Sequence, residues 1–327
     1  MINSKIKLDT KKLQKKYSSI LGCWDKSLPG TQFGTLFIFL TECQLVARTS
    51  KANSIDIALD ASSHNIKNIS EGQFRLLNSN DEIDAALSVL NGIDTIKKIY
   101  VCGGKSGIEA LSLSLTNTHL TWGLDKRSYD STISIQELYK LTGKIQPLKF
   151  KPELQQWAYK TIQGQHDKIP FVALHLKQLI NFKGTNPISL ANNSVWYKFL
   201  SIATSRYSTK FIVLGDDPLD INIKNLPNVI IANEIGAKTF VQHIALLSEC
   251  DGFMGMMSSI SNLAIFSDSP YVVFKNPEHH KKAMNKEIGI KNYYPFATKF
   301  QKILRVNETV DLLLSEFAAM PFIKDRS

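Results

Sequence analysis

The feature that most limits how this chain can fold is a set of short apolar runs between residues 169 and 276. None alternates, and each ends in polar residues. The first, Ile169-Pro170-Phe171-Val172-Ala173-Leu174, runs into His175-Leu176-Lys177, and the second, Phe211-Ile212-Val213-Leu214, into Gly215-Asp216-Asp217-Pro218. Cys250-Asp251-Gly252-Phe253-Met254-Gly255 leads to Ser258-Ser259-Ile260-Ser261-Asn262, and Tyr271-Val272-Val273-Phe274 follows. An apolar run without alternation suits a strand covered on both faces, as in a parallel sheet between helices. Stretches of helical spacing separate the runs: Val195, Phe199, Ile202 and Ala203, then Phe240, Ile244 and Leu247. Asn193 or Ser194 is placed to cap the first of these helices. The predicted fold class is therefore α/β with parallel sheets. Ligands of such sheets bind at the carboxyl ends of the strands, where the polar residues fall.

The same order recurs upstream. Residues 17–23, 54–60 and 98–102 read as strands, with helices over 35–47, 81–90 and 108–115. Pro29-Gly30-Thr31-Gln32-Phe33-Gly34 either brings backbone N–H groups close to a ligand or makes a tight turn. Gly103-Gly104-Lys105-Ser106-Gly107 has the look of a phosphate loop, but the pattern requires glycine at position 99, which is Ile99. An NTPase is excluded on that ground, and the missing G-x-G-x-x-G after the first strand weighs against a dinucleotide dehydrogenase. Lys144, Pro147, Lys149, Lys151 and Pro152 mark an interdomain linker. With 327 residues, the expected division is a first domain over 1–150 and a second over 151–327. Residues 153–163 form a helix ahead of the second domain's first strand. A closing helix over 307–320 carries Val310, Leu313, Leu314 and Phe317 on one face and is free to return to the first domain.

Charge and cysteine content narrow the function. The net charge of +10 fits an anionic ligand, an anionic membrane surface or nucleic acid. No zinc finger, RNA-recognition signature or basic-aromatic stripe accompanies it, so no nucleic-acid partner is expected. Much of the excess lies in Lys5, Lys7, Lys11, Lys12, Lys15 and Lys16, read as a solvated helix face or as a peripheral membrane contact. Cys23, Cys43, Cys102 and Cys250 are far apart, as reduced core thiols are, so neither a zinc site nor a disulfide framework is expected. Without an apolar run of ~18 residues or a secretory core, a cytoplasmic protein is expected, with contact at the inner membrane face as the variant.

Three groups can carry chemistry. His175 and Lys177 leave a strand two residues apart and so share one side of the pleat. There they can grip a phosphate or assist a departing diphosphate. Gly215, Asp216 and Asp217 follow the second run and either accept hydroxyl donors or form a turn before Pro218; no metal is expected there. Asp251, Gly255, Ser258, Ser259, Ser261 and Asn262 gather small hydroxyl residues at a helix start, where hydroxyls and backbone N–H groups suit a diphosphate, or where they are simple caps.

The order strand–His-x-Lys, strand–Asp-Asp-Pro, strand–Asp-Gly-Phe-x-Gly-x-x-Ser-Ser-x-Ser-Asn, strand resembles the donor-binding half of GT-B glycosyltransferases, whose fold is two facing Rossmann-like domains. Among these it is most similar to fucosyltransferase-like enzymes. Their first motif is His-x-Arg-Arg, where this chain carries His175, Lys177 and Gln178. The motifs span about 170–276; over 17–145 only the strand–helix order is shared. The resemblance implies a nucleotide diphosphate sugar as donor, no separate cofactor and no obligatory metal. It further implies transfer to a surface-glycan or lipid-linked acceptor in polysaccharide biosynthesis. Asp25 and His64 are the candidates for the base on the acceptor hydroxyl, with His175 acting at the leaving group. A nucleotide-sugar epimerase of the same fold, or a non-catalytic sugar- or nucleotide-binding protein, is the alternative.

Overall fold

The computed structural model describes residues 13, 15–28, 33–62, 79–126, 128–164, 169–178 and 190–324. The chain divides into two compact units, with the main boundary between Lys149 and Phe150 and with Ser79, Asn80 and Asp81 grouped with the second. His64, Thr31 and Gln32, and the basic residues up to Lys12, lie outside the described residues.

The first unit holds four parallel strands: β1 (Ser19–Trp24), β2 (Ser54–Asp60), β3 (Ile96–Cys102) and β4 (His119–Trp122). Their order is β3-β2-β1-β4. Between them run α1 (Phe33–Thr49), α2 (Ser79–Gly92) and α3 (Lys105–Ser114), and α4 (Ile133–Thr142) follows β4. β1 and β2 are almost wholly buried, as their unbroken apolar runs require. β3 is different: it lies at the sheet edge with both lysines and Val101 exposed. The Gly103-Gly104 turn leads from β3 into α3. Gly104 adopts φ +90, a conformation glycine takes without strain, and opens α3 as its N-cap. A carboxylate is buried in α1. Glu42, fully enclosed, pairs with Lys126 at 2.7 Å and accepts from the Trp122 indole at 3.2 Å, tying the residues after β4 to the helix.

The second unit begins with α5 (Pro152–Gln163), whose Pro152 occupies the first turn, where a missing N–H costs nothing. Then come β5 (Phe171–His175), α6 (Asn193–Arg206), β6 (Lys210–Val213), the single turn α7 (Ile221–Lys224) and β7 (Val229–Ile231). A 3₁₀ turn over Ala232–Ile235 precedes α8 (Phe240–Ser248), β8 (Gly252–Met256), α9 (Ser259–Ile265) and β9 (Tyr271–Phe274). The unit closes with α10 (Lys281–Ile288), β10 (Gln301–Leu304) and α11 (Val310–Ala318). All six strands are parallel, in the order β10-β9-β8-β5-β6-β7. Counted within the unit this is the doubly wound order 3-2-1-4-5-6, and the first unit has its first four strands, 3-2-1-4. In both sheets the topological switch point flanks the unit's first strand: between β1 and β4, and between β5 and β8.

Two sequence expectations are corrected. The cap of α6 is Asn192, whose side chain accepts from the Val195 N–H, because Asn193 has already entered the helix. The closing helix stays with the second unit and packs on α6. Phe317 lies 5.5 Å from Phe199, 5.2 Å from Tyr207 and 5.3 Å from Phe211, measured between ring centroids. This aromatic cluster, extended by Trp196, which packs against both Phe199 and Phe274, is the centre of the second unit's core.

Phe317→Ala is expected to destabilise the second unit by about 3–5 kcal/mol, since a fully buried ring with aromatic neighbours on several sides leaves a cavity that cannot collapse. Urea unfolding followed by tryptophan fluorescence measures this. A loss under about 1 kcal/mol would mean that the helix is peripheral to the core.

Candidate functional site

The second unit's switch point is built around His175. It is the last residue of β5, paired in register with Gly255 of β8, and only 6% exposed. Two glycines make room for it. A Cβ on Gly255 would stand 2.5 Å from the His175 carbonyl oxygen, and one on Gly215 would stand 2.9 Å from the imidazole. Gly215 also holds φ +93, so both its conformation and its neighbours exclude a side chain. The His175 Nε2 lies 3.2 Å from Asp217 Oδ2. That contact is a hydrogen bond when Nε2 carries the proton. Nδ1 then remains, buried and without a hydrogen-bond partner. A ring held by Asp217 at Nε2 keeps a lone pair at Nδ1 that can accept one proton and return it.

Lys177, two residues on, is mostly buried beside Asp217. Burial holds its ammonium below the usual lysine range, and the Asp217 charge partly offsets this. Gln178 does not reproduce a second cation. Its amide donates to the Asn193 side chain at 2.5 Å, at the start of α6.

Asp216 and Asp217 are divided between two histidines. Asp217 serves His175, while Asp216, mostly exposed, accepts from Asn233 Nδ2 at 3.0 Å. Asn233 Oδ1 in turn lies 3.1 Å from Nε2 of His243, a residue almost completely buried in α8. The Gly215 N–H donates to His243 Nδ1 at 3.1 Å. A backbone donor needs a lone pair there, so the proton sits on Nε2 and the ring is neutral. Burial pushes the His243 pKa below the usual histidine value, the Asp216 charge opposes this, and His175 adds to it. His243 thus holds the Gly215 turn that walls in His175.

Of the serine loop, Ser258 and Ser261 form a reciprocal capping box. Ser261 Oγ accepts from the Ser258 N–H at 2.7 Å, and Ser258 Oγ from the Ser261 N–H at 3.2 Å. Ser259 lies outside that box, in the first turn, where backbone N–H groups have no intrahelical acceptor. Asn262 follows in the same helix. Asp251 is placed apart from the others. It precedes β8, at the amino edge of the sheet, and its carboxylate accepts from the Phe171 N–H at 2.8 Å. The length of β8 separates it from the His175 end, about 13 Å at ~3.3 Å per residue. Its role there is to cap the start of β5.

Asp25 directly follows β1, at the switch point of the first sheet. It is 3% exposed, with Oδ1 accepting from both the backbone N–H and the hydroxyl of Ser27. Its own N–H donates to Tyr129 Oη, which donates to the Cys23 carbonyl.

Three groups escaped the sequence reading. His243 had a signal: it is a polar residue on the buried stripe of a helix. Lys275 follows the apolar strand β9 just as Lys177 follows β5, and is 6% exposed. His279 lies in the turn beyond it, and burial together with the Lys275 charge lowers its pKa to about 3. Among the described residues no cluster of histidine, cysteine and carboxylate side chains is arranged to hold a metal. Likewise no described helix is long and apolar enough to cross a membrane.

No protein-family model matches this chain, and no curated protein matches it. Solved structures do. A glycosyl transferase family 9 protein from Veillonella parvula superimposes with a TM-score of 0.55 at 10% identity, covering 94% of this chain and 91% of that one. The E. coli heptosyltransferase WaaC with ADP gives 0.53 at 9% identity, covering 91% and 98%. E. coli ADP-heptose lps heptosyltransferase II gives 0.51 at 12%, covering 92% and 98%. At these identities the likeness is one of fold: the chain has the α/β, parallel-sheet, two-unit architecture of GT-B glycosyltransferases.

The His243 arrangement fixes a pH dependence. Its folded pKa lies below the unfolded value of ~6.5, so between the two the unfolded chain binds more protons. Stability should therefore fall as pH drops below ~6.5, with a slope of up to about 1.4 kcal/mol per pH unit from this group. His243→Asn should flatten that slope, as read from urea midpoints at pH 5 and pH 7. An unaltered slope would mean that the ring is not held neutral by the Gly215 N–H.

Proposed function

We propose that the protein is a glycosyltransferase that moves a sugar from a nucleotide diphosphate donor onto a surface-glycan or lipid-linked acceptor. One observation carries this reading. A mostly buried lysine and a carboxylate-held histidine stand together at the carboxyl edge of a doubly wound parallel sheet, beside its switch point. That is where such sheets bind nucleotides, and the shared fold with heptosyltransferases supports it.

In this reading the donor diphosphate lies against Lys177 and the first-turn N–H groups of α9, with Ser259 at the opening. Ser258 and Ser261 contribute by holding that turn rather than by offering free hydroxyls. The lysine charge and the backbone donors are in place before the reaction and favour the charge that grows on the leaving diphosphate as the glycosidic bond breaks. His175, held by Asp217 through Nε2, has Nδ1 for a proton exchanged with the leaving group or with a donor hydroxyl. Asp25 is the candidate base for the acceptor hydroxyl. Its Ser27 contacts fix the carboxylate's direction at the end of β1.

Lys177→Ala should weaken donor binding and turnover together, by about 1.5–3 kcal/mol. Lys177→Arg should retain both. His175→Ala should cost more in kcat than in affinity if the ring acts on the leaving group. Calorimetry with ADP, GDP and UDP, followed by assays with the matching nucleotide sugars, measures these effects. Unchanged affinity in Lys177→Ala at low salt would overturn the placement of the diphosphate. Donor consumed without any acceptor would point to an epimerase, and tight binding without turnover to a binding protein.

A further inference from the structure

Lys275 occupies an unfavourable position for a cation. It follows β9 directly, its backbone N–H donates to the Leu304 carbonyl, and its side chain is almost wholly enclosed. Among the described residues neither Lys275 nor Lys177 forms an ion pair. The sheet order sets them on the two strands that flank β8: Lys177 beyond the end of β5, and Lys275 beyond the end of β9. The Lys177 charge acts on Lys275 across the end of β8. Burial, first, and then the Lys177 charge lower the Lys275 pKa to about 8, and Glu287 of α10 opposes them. Glu287 is itself engaged by the Tyr294 hydroxyl at 3.2 Å. The remaining titratable neighbours are His279, neutral above pH ~3, and the adjoining His280.

Two enclosed like charges whose nearby carboxylates, Asp217 and Glu287, only partly offset the loss of hydration are costly to fold around. Such a pair is retained where an anion repays the cost, and perturbed groups gathered at a strand edge are functional-site candidates on that physical ground. We infer that Lys275 is the second cation of the anion site: with Lys177 it brackets the end of β8 and receives the substrate's diphosphate between two ammonium groups. The inference rests on the nucleotide-sugar reading of this site and adds to it a residue and a charge count. Two ammonium charges equal those of a diphosphate diester, and the released nucleoside diphosphate carries more. Bound anion should raise the Lys275 pKa again, so that binding above pH 8 draws a proton from solution.

The test uses the full chain and its Lys275→Met variant, which removes the charge at nearly constant shape. Each is titrated calorimetrically with inorganic pyrophosphate, and with ADP, GDP and UDP, at pH 7.0 and pH 8.5. Two buffers of different ionisation enthalpy are used at each pH. The expected result is an affinity for pyrophosphate about 10- to 100-fold weaker in the variant, with smaller proton uptake at pH 8.5. The unliganded variant should melt at the same temperature as the parent or higher, since a buried unpaired charge has gone. Equal affinity and equal proton uptake in both proteins would overturn the inference, as would a lower melting temperature with binding unchanged, which marks a structural lysine. If nucleoside diphosphates bind equally to both, the inference fails and the glycosyltransferase reading stands. If pyrophosphate binds through Lys275 but no nucleoside diphosphate binds, the anion site stands and the glycosyltransferase reading fails. If the parent chain binds neither, both are overturned.

Discussion

The second unit's site depends on how closely β8 can approach β5. At Gly255 the two backbones run so near that a methyl group would stand 2.5 Å from the His175 carbonyl oxygen. Only glycine allows that spacing, and the spacing keeps the His175–Gly255 pair in register at the end of the sheet. Gly215 then packs against the Cδ2–Nε2 edge of the imidazole, and its N–H is held by the fully buried His243. The orientation of His175 is thus set by backbone geometry before any ligand arrives, and Asp217 has only to choose which nitrogen carries the proton.

Around that fixed ring the unit tolerates unusual electrostatics. Lys177 and Lys275 are both held below the ordinary lysine range by burial, and His279 is kept neutral by it. The first unit solves the same problem differently. Its buried Glu42 is matched by Lys126 and the Trp122 indole, a pair whose partners satisfy one another. One unit therefore carries a closed ion pair and the other an open cationic edge. That contrast, more than the net charge of +10, marks where an anion would be favoured.

Much of this was legible in the sequence because parallel strands leave a plain signature. The runs ending at Asp60 and Phe274 became β2 and β9 with the expected bounds, and the polar residues after β5 and β6 do meet. Short strands were harder. β4 and β10 carry polar residues and show no apolar run, while β7, though apolar, is only three residues long and was passed over. Asp251 looked like part of the serine motif because sequence adjacency cannot tell which edge of the sheet a residue occupies; a five-residue strand carries it to the far side. The hydroxyls of Ser258 and Ser261 are consumed by the helix they start, which is a matter of local geometry rather than composition. Lys275 passed unnoticed because a lone lysine after a strand is ordinarily a surface residue; its enclosure comes from tertiary packing.

The position of β5 in its sheet has a consequence for how the chain is made. It is the first strand of its unit to leave a ribosome, yet it sits near the middle of the sheet, between β6 and β8. β6 arrives soon after, but the partner on its other edge waits for the whole of 176–251 to be synthesised. At ~5–20 residues per second that interval is several seconds. Throughout it an apolar strand presents an unpaired edge, of the kind that recruits other chains. Nascent chains halted between β6 and β8 are therefore where a chaperone would have most to do.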